Sequence, residues 1–78
     1  MTENEIAREV VDAAYRVHTK MGPGLLESVY ESVLAYELAR RGLEIVQQNP
    51  VAIKYEEMTF PDAFRADMIV GGKVILEL

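Results

Sequence analysis

The sequence has no cysteine. Disulfides, thiolate zinc sites and cysteine nucleophiles are excluded together, and the redox compartment stays open. There is one histidine, His18, too few for an imidazole metal cage; helix patterning accounts for it as a partly exposed helix residue. No apolar run approaches the roughly 20 residues needed to span a bilayer. The opening segment, MTENEIAREV, is polar and acidic, unlike a secretory leader, so cytoplasm is the expected location. Positive charge is also scarce. The formal net charge is −5 and Arg40-Arg41 is the only adjacent basic pair. A protein that grips nucleic acid through its phosphates shows a basic face; none is visible, which weighs against a strong sequence-independent DNA binder. It weighs less against a metal-dependent enzyme, because hard-cation sites are built from carboxylates.

What is present is an ordinary globular composition, 50% hydrophobic and 27% charged over 78 residues. That length allows one domain, and a chain so short buries only about 60–65% of its unfolded surface. No repeat, linker or low-complexity tract divides it.

The first half has helical periodicity. Thr2 and Glu5 have the spacing of a capping box, in which each side chain satisfies an orphan amide of the first turn. Ile6, Val10, Ala13, Ala14, Val17 and Met21 follow on one face, and Gly22-Pro23-Gly24 ends that helix. A second helix is predicted from about Leu25 to Arg41, with Leu26, Val29, Tyr30, Val33, Leu34 and Leu38 as its apolar side. Arg40 and Arg41 suit the negative end of the helix dipole, and Gly42 has the position of a left-handed cap.

After Gly42 the period shortens. Leu43 to Gln48 and Val51 to Tyr55 are predicted strands separated by a bend at Asn49-Pro50. Glu56 to Pro61 is a polar turn region. Phe64 to Val70 and Val74 to Leu78 are the last strands. The expectation is an α+β (α/β) unit: two N-terminal helices, then a mostly antiparallel sheet of three to four strands.

The final hairpin has two candidate registers. A two-residue Gly71-Gly72 turn pairs Val70 with Lys73 and puts Lys73 and Glu77 on the apolar face. A three-residue loop, Gly71 to Lys73, pairs Val70 with Val74 and collects every apolar position on one face. A one-residue slip flips every side chain, so the hydrophobic pattern selects the second. That register sets Asp67 across from Glu77.

Two carboxylates opposite one another repel. Arg65, a shared proton or a divalent cation would each offset the repulsion. Mg²⁺ is commonly held by one or two carboxylates with water and phosphate completing its shell. A third acid, Glu27, lies in the first turn of the second helix, on one stripe with Tyr30 and Glu31. Taken alone it reads first as an ordinary N-terminal helix charge. Met21, Met58 and Met68 read as gap-fillers.

The segment Gly24-Leu25-Leu26-Glu27-Ser28-Val29-Tyr30, led by Met21-Gly22-Pro23, resembles the GxxExxY family signature. Later segments resemble the family in order: Glu37-Leu38, Gly42, Gln47-Gln48, Val51 to Tyr55, Arg65-Ala66-Asp67 and Val74 to Glu77. The resemblance runs from about Glu5 to the last residue. Members of that family resemble PD-(D/E)XK nucleases, whose core is a helix, a curved sheet and a further helix and strand. The resemblance implies a Mg²⁺ (or Mn²⁺) site of Glu27, Asp67 and Glu77, with Tyr30, Gln47 and Lys54 in support, and phosphodiester hydrolysis as the reaction.

The family pattern places a lysine two residues after Glu77, where this sequence reads Glu77-Leu78 and stops. Residues 1–78 are therefore expected to be the front part of such a core, C-terminally truncated. Lys73 shares the face of Glu77 but lies roughly 13 Å along the strand at ~3.3 Å per residue; Lys54 is the other substitute. A catalytically silent binding or assembly module, or a fragment of a longer nuclease-like protein, is the alternative. Nucleic acid stays a candidate partner despite the missing basic patch. An uncovered apolar face and an open strand edge also predict a homodimer or larger assembly.

Overall fold

A computed structural model describes residues 1–78. Helix α1 (Glu3–Met21) and helix α2 (Glu27–Arg40) precede three strands, β1 (Ile45–Tyr55), β2 (Met58–Val70) and β3 (Val74–Leu76). The sheet order is β1-β2-β3, antiparallel throughout.

The start of α1 forms as its sequence directs. The Glu5 amide donates to the Thr2 hydroxyl at 3.1 Å and the Thr2 amide donates to the Glu5 carboxylate at 2.7 Å, closing the capping box. α2 begins two residues later than the Leu25 expected, because Leu26 has an extended backbone and supplies no side-chain cap.

The helices pack on one face of the sheet. Ile6, Val10 and Ala13 of α1 meet Leu34, Ala35 and Leu38 of α2, with Leu43, Met68 and Val70 beneath them. Fully burying a Val, Leu, Ile or Met side chain stabilises a fold by roughly 1.5–3 kcal/mol, which makes this cluster the main anchor of so small a domain. The apolar side expected for α2 is used only in part. Leu34 and Leu38 are buried, but Leu26 at its cap and Val29 in its first turn are exposed. Of the three methionines read as gap-fillers, Met68 fills the core, whereas Met21 and Met58 are exposed.

The sheet differs from the sequence reading at its middle. Asn49-Pro50 does not divide two strands; β1 continues through both, with Asn49 opposite Ala66 and Pro50 opposite Arg65. Proline is tolerated there because β1 is an edge strand, whose outward side needs no N–H donor. The polar stretch from Glu56 to Pro61 is likewise mostly strand. Only Glu56-Glu57 turns, and β2 begins at Met58. Pro61 falls in a register irregularity, where Pro61 to Ala63 oppose the single Ala52, a position that spares proline a ladder bond.

The last hairpin adopts the three-residue loop. Val70 pairs with Val74, Ile69 with Ile75 and Met68 with Leu76. The pattern of burial explains why: Ala66, Met68 and Val70 are completely buried, the last two within the helix-packed core, and the alternative register would have placed Lys73 and Glu77 on that face. β3 is shorter than expected, ending at Leu76.

Candidate functional site

Helix α2 begins with an exposed Glu27 whose neighbouring helix-terminal amides have no side-chain cap. The positive end of the helix dipole therefore meets this carboxylate without competition. Three residues on, Tyr30 is half-buried and packs against the core. Glu27, Tyr30, His18, Gly22, Gly24 and Leu78 line an open cleft of about 420 Å³. His18 is exposed, as its place on the helix suggested, and its part in this wall follows only from the bend at Gly22-Pro23-Gly24.

Asp67 stands one strand inward. It is half-buried, on the sheet face opposite to Ala66 and Met68. Met68 pairs with Leu76, so counting one residue further sets Asp67 across from Glu77, the relationship expected from the apolar pattern. The ladder itself stops at Leu76. In its place the Leu78 amide donates to the Asp67 carboxylate at 2.7 Å. Leu78 thus joins the two parts of the site, its backbone bound to Asp67 and its residue forming one wall of the Glu27 cleft.

The three carboxylates singled out in the sequence are not brought together as one cage. No group of three His, Asp or Glu side chains is disposed to hold a metal ion. The reason is layering. Strand alternation turns Asp67 and Glu77 away from the face that Ala66, Met68 and Leu76 present to the helices, whereas Glu27 belongs to the helix layer. Mg²⁺ needs only one or two protein carboxylates, with waters and phosphate supplying the rest. The Asp67–Glu77 pair has the right donor chemistry for that arrangement.

The supporting residues are placed as follows. The side-chain amide of Gln47 donates to the Glu31 carboxylate at 2.8 Å and that of Gln48 donates to its other oxygen at 3.0 Å. Consecutive strand residues normally point to opposite faces. Here Gln48 has a φ of +53°, a left-handed conformation uncommon for a residue with a side chain, which lets both amides reach one acceptor. Gln48 lies opposite Asp67 by count, between the Gln47–Met68 and Asn49–Ala66 pairs. Lys54 is exposed near the far end of β1, six residues beyond Gln48, or roughly 20 Å at ~3.3 Å per residue. Lys73 lies in the hairpin loop and its ammonium donates to the Met1 carbonyl at 2.7 Å.

Arg41 forms a polar cluster outside this site that sequence reading did not anticipate. Its guanidinium donates to Asp12 at 2.8 Å, Glu37 at 3.0 Å and Glu9 at 3.3 Å. It ties α2 to α1, and it occupies part of the adjacent basic pair in internal contacts. Those hydrogen bonds, the one to Asp12 foremost, hold Arg41 protonated well above its ordinary range, and the hydrogen bond from Arg41 keeps Glu37 below the usual carboxylate range. No helix is long and apolar enough to cross a membrane.

Neither the curated proteins nor the solved structures include a match to this chain. The PD-(D/E)XK nuclease superfamily profile, in contrast, matches residues 4–78. That span runs from the first turn of α1 through Asp67 and Glu77, and with it the helix-then-antiparallel-sheet architecture has its assignment: the chain belongs to the PD-(D/E)XK nuclease superfamily.

Proposed function

We propose that this chain is a nuclease-like domain of the phosphodiester-hydrolase type, with Asp67 and Glu77 as the carboxylates that would hold Mg²⁺ or Mn²⁺ and Glu27 acting across the cleft from α2. The supporting observation is the placement of Asp67. It is half-buried on the central strand, across from Glu77 by register, and joined through Leu78 to the cleft that Glu27 lines. A divalent cation bound there would supply charge to a scissile phosphate and lower the pKa of a water ligand.

The chain's own residues do the rest. Glu27 lies in the first turn of α2, at the positive end of the helix dipole. Tyr30 braces the cleft by packing against the core. The Leu78 amide fixes one Asp67 oxygen. Gln47 and Gln48 are engaged with Glu31, so they support the site by tying β1 to α2. Neither Lys54 nor Lys73 stands beside Asp67, so a lysine that orients water is not supplied by either.

Within residues 1–78 that leaves room for a second reading, a binding or assembly module that keeps the nuclease architecture without turnover. One experiment separates the two. Single- and double-stranded DNA and RNA are incubated with the protein and Mg²⁺ or Mn²⁺, beside Asp67→Ala. Cleavage that disappears in the variant supports hydrolysis. Equal, background-level products from both proteins would reject it, and Mg²⁺ binding lost in Asp67→Ala under those conditions would support the silent module.

A further inference from the structure

The molecule is extended for its size. Its radius of gyration is 14.1 Å and its extents are 48 × 30 × 15 Å, against roughly 11–12 Å for the radius of a compact chain of this length. The excess comes from the outer halves of β1 and β2, a two-stranded ribbon that runs past the helices to the turn at Glu56-Glu57.

One face of that ribbon is mostly apolar. Val51 pairs with Phe64, Ile53 with Phe60 and Tyr55 with Met58. Alternation puts these pairs on the side that, nearer the body, carries Ala66, Met68 and Val70. The register irregularity does not change the face, because one residue on β1 opposes three on β2 and both counts are odd. Lys54 and Thr59, paired with each other, lie on the opposite face. Ile53, Tyr55, Met58, Phe60 and Phe64 are 45–65% exposed. None of them belongs to the core that the helices cover.

We infer that this face is the contact through which two copies of the chain associate, ribbon against ribbon, about a two-fold axis near the Ile53–Phe60 pair. Two observations select a second copy as the occupant. An isolated two-stranded ribbon is marginal in water, and it needs cover from a partner present whenever the chain is folded; a second copy meets that condition. Large aromatic side chains bury ~150–250 Å² each, so the bare face offers on the order of 500 Å² per chain. Doubled, that reaches the ~1,000 Å² at which a specific interface begins. By the same alternation Asp62, inside the register irregularity, is the one charged residue on this face, so two chains of net charge −5 meet there with like carboxylates that salt screens. A self-complementary patch of this kind closes with two-fold symmetry and leaves nothing for further addition. The inference does not depend on hydrolysis or metal binding.

The test is sedimentation equilibrium of the full chain at micromolar concentration. A dimer is expected, tightening as salt rises, because screening weakens repulsion between acidic copies while the apolar contact is retained. Phe60→Glu should weaken association by at least roughly tenfold, since it buries a charge without a partner. Thr59→Glu, one residue away on the other face, should not. Far-UV circular dichroism confirms that each variant is folded. Because the chain has no cysteine, single cysteines provide a second readout. Ile53→Cys should oxidise to a covalent dimer, and Lys54→Cys should not. A monomeric wild-type mass, an unaffected Phe60→Glu dimer, dissociation by salt, or equal cross-linking at both positions would each overturn the inference. Adsorption of a monomer to neutral lipid vesicles through this face would do so too, by giving it a different occupant.

Discussion

The Asp67 carboxylate accepts the Leu78 backbone N–H at 2.7 Å, just beyond the point where the β2–β3 ladder ends at Met68–Leu76. A side chain thus does what a strand carbonyl would do in a longer ladder. Asp67→Ala should speed hydrogen exchange at the Leu78 amide while costing about 1 kcal/mol or less in global stability, as expected for one solvent-exposed bond. Asp67→Asn keeps an acceptor and should retain part of the protection. If the carboxylate also takes a divalent cation, millimolar Mg²⁺ should shift the Leu78 amide resonance in the wild type and leave it unmoved in Asp67→Ala.

The Arg41 cluster predicts an acid-sensitive fold. Glu37 titrates below its ordinary value because Arg41 donates to it, and Glu5 does so because of its hydrogen bonds with Thr2, the backbone amide first. A carboxylate with a lowered native value stabilises the fold above its unfolded value, and that contribution is lost as pH falls through the native one. The melting temperature should therefore be level near neutrality and fall below the ordinary carboxylate range. Glu37→Gln should lower it at neutral pH and flatten the acid slope. Arg41→Ala should cost more than Arg40→Ala, whose contact with Glu37 is long at 3.9 Å and largely exposed.

The loop of the last hairpin offers an internally controlled test of packing. Gly71 and Gly72 both have left-handed backbones, with φ of +60° and +68°. A Cβ on Gly71 would lie 2.8 Å from Ile6 Cδ1, whereas one on Gly72 meets open space. Gly72→Ala should cost roughly 1 kcal/mol from backbone strain alone. Gly71→Ala should cost about 2–3 kcal/mol, because it also displaces a core side chain. Urea unfolding of the pair isolates the contact as the difference.

The turn at the ribbon tip has strain that glycine would remove. Glu56 has a φ of +52° and follows Tyr55, which pairs with Met58 across a two-residue turn. Such turns favour glycine at the left-handed position. Glu56→Gly should stabilise the protein by roughly 0.5 kcal/mol, the ~1–2 kcal/mol of left-handed strain less the entropy glycine adds to the unfolded chain. Thermal melts of the two proteins at matched concentration would show the gain, and a loss would mean that the Glu56 side chain makes a compensating contact.

Much of the architecture is written in local pattern. Thr2 and Glu5 are three residues apart and can only cap one another. The apolar alternation at Ala66, Met68 and Val70 admits one hairpin register, and that register sets Asp67 across from Glu77. Each conclusion depends on a period or a spacing that the chain carries within a few residues. The strand break at Asn49-Pro50 failed on the same ground, because proline's missing donor matters only if a neighbour needs it, and β1 proved to be an edge.

What the local pattern could not decide is which layer each group belongs to. Glu31 gathers Gln47 and Gln48 across 16 and 17 residues, and Arg41 gathers Asp12 and Glu9 across 29 and 32; no spacing announces such pairs. Gln48 has no sequence mark of a left-handed backbone, which glycine or asparagine would have supplied. Glu27, Asp67 and Glu77 are legible as three carboxylates on a helix and two strands. Whether they converge depends on how the helix layer sits over the sheet. Side-chain direction along a strand follows from alternation, but the distance between layers is set by the packing of Ile6, Leu34, Leu38 and Met68, a property of the whole core.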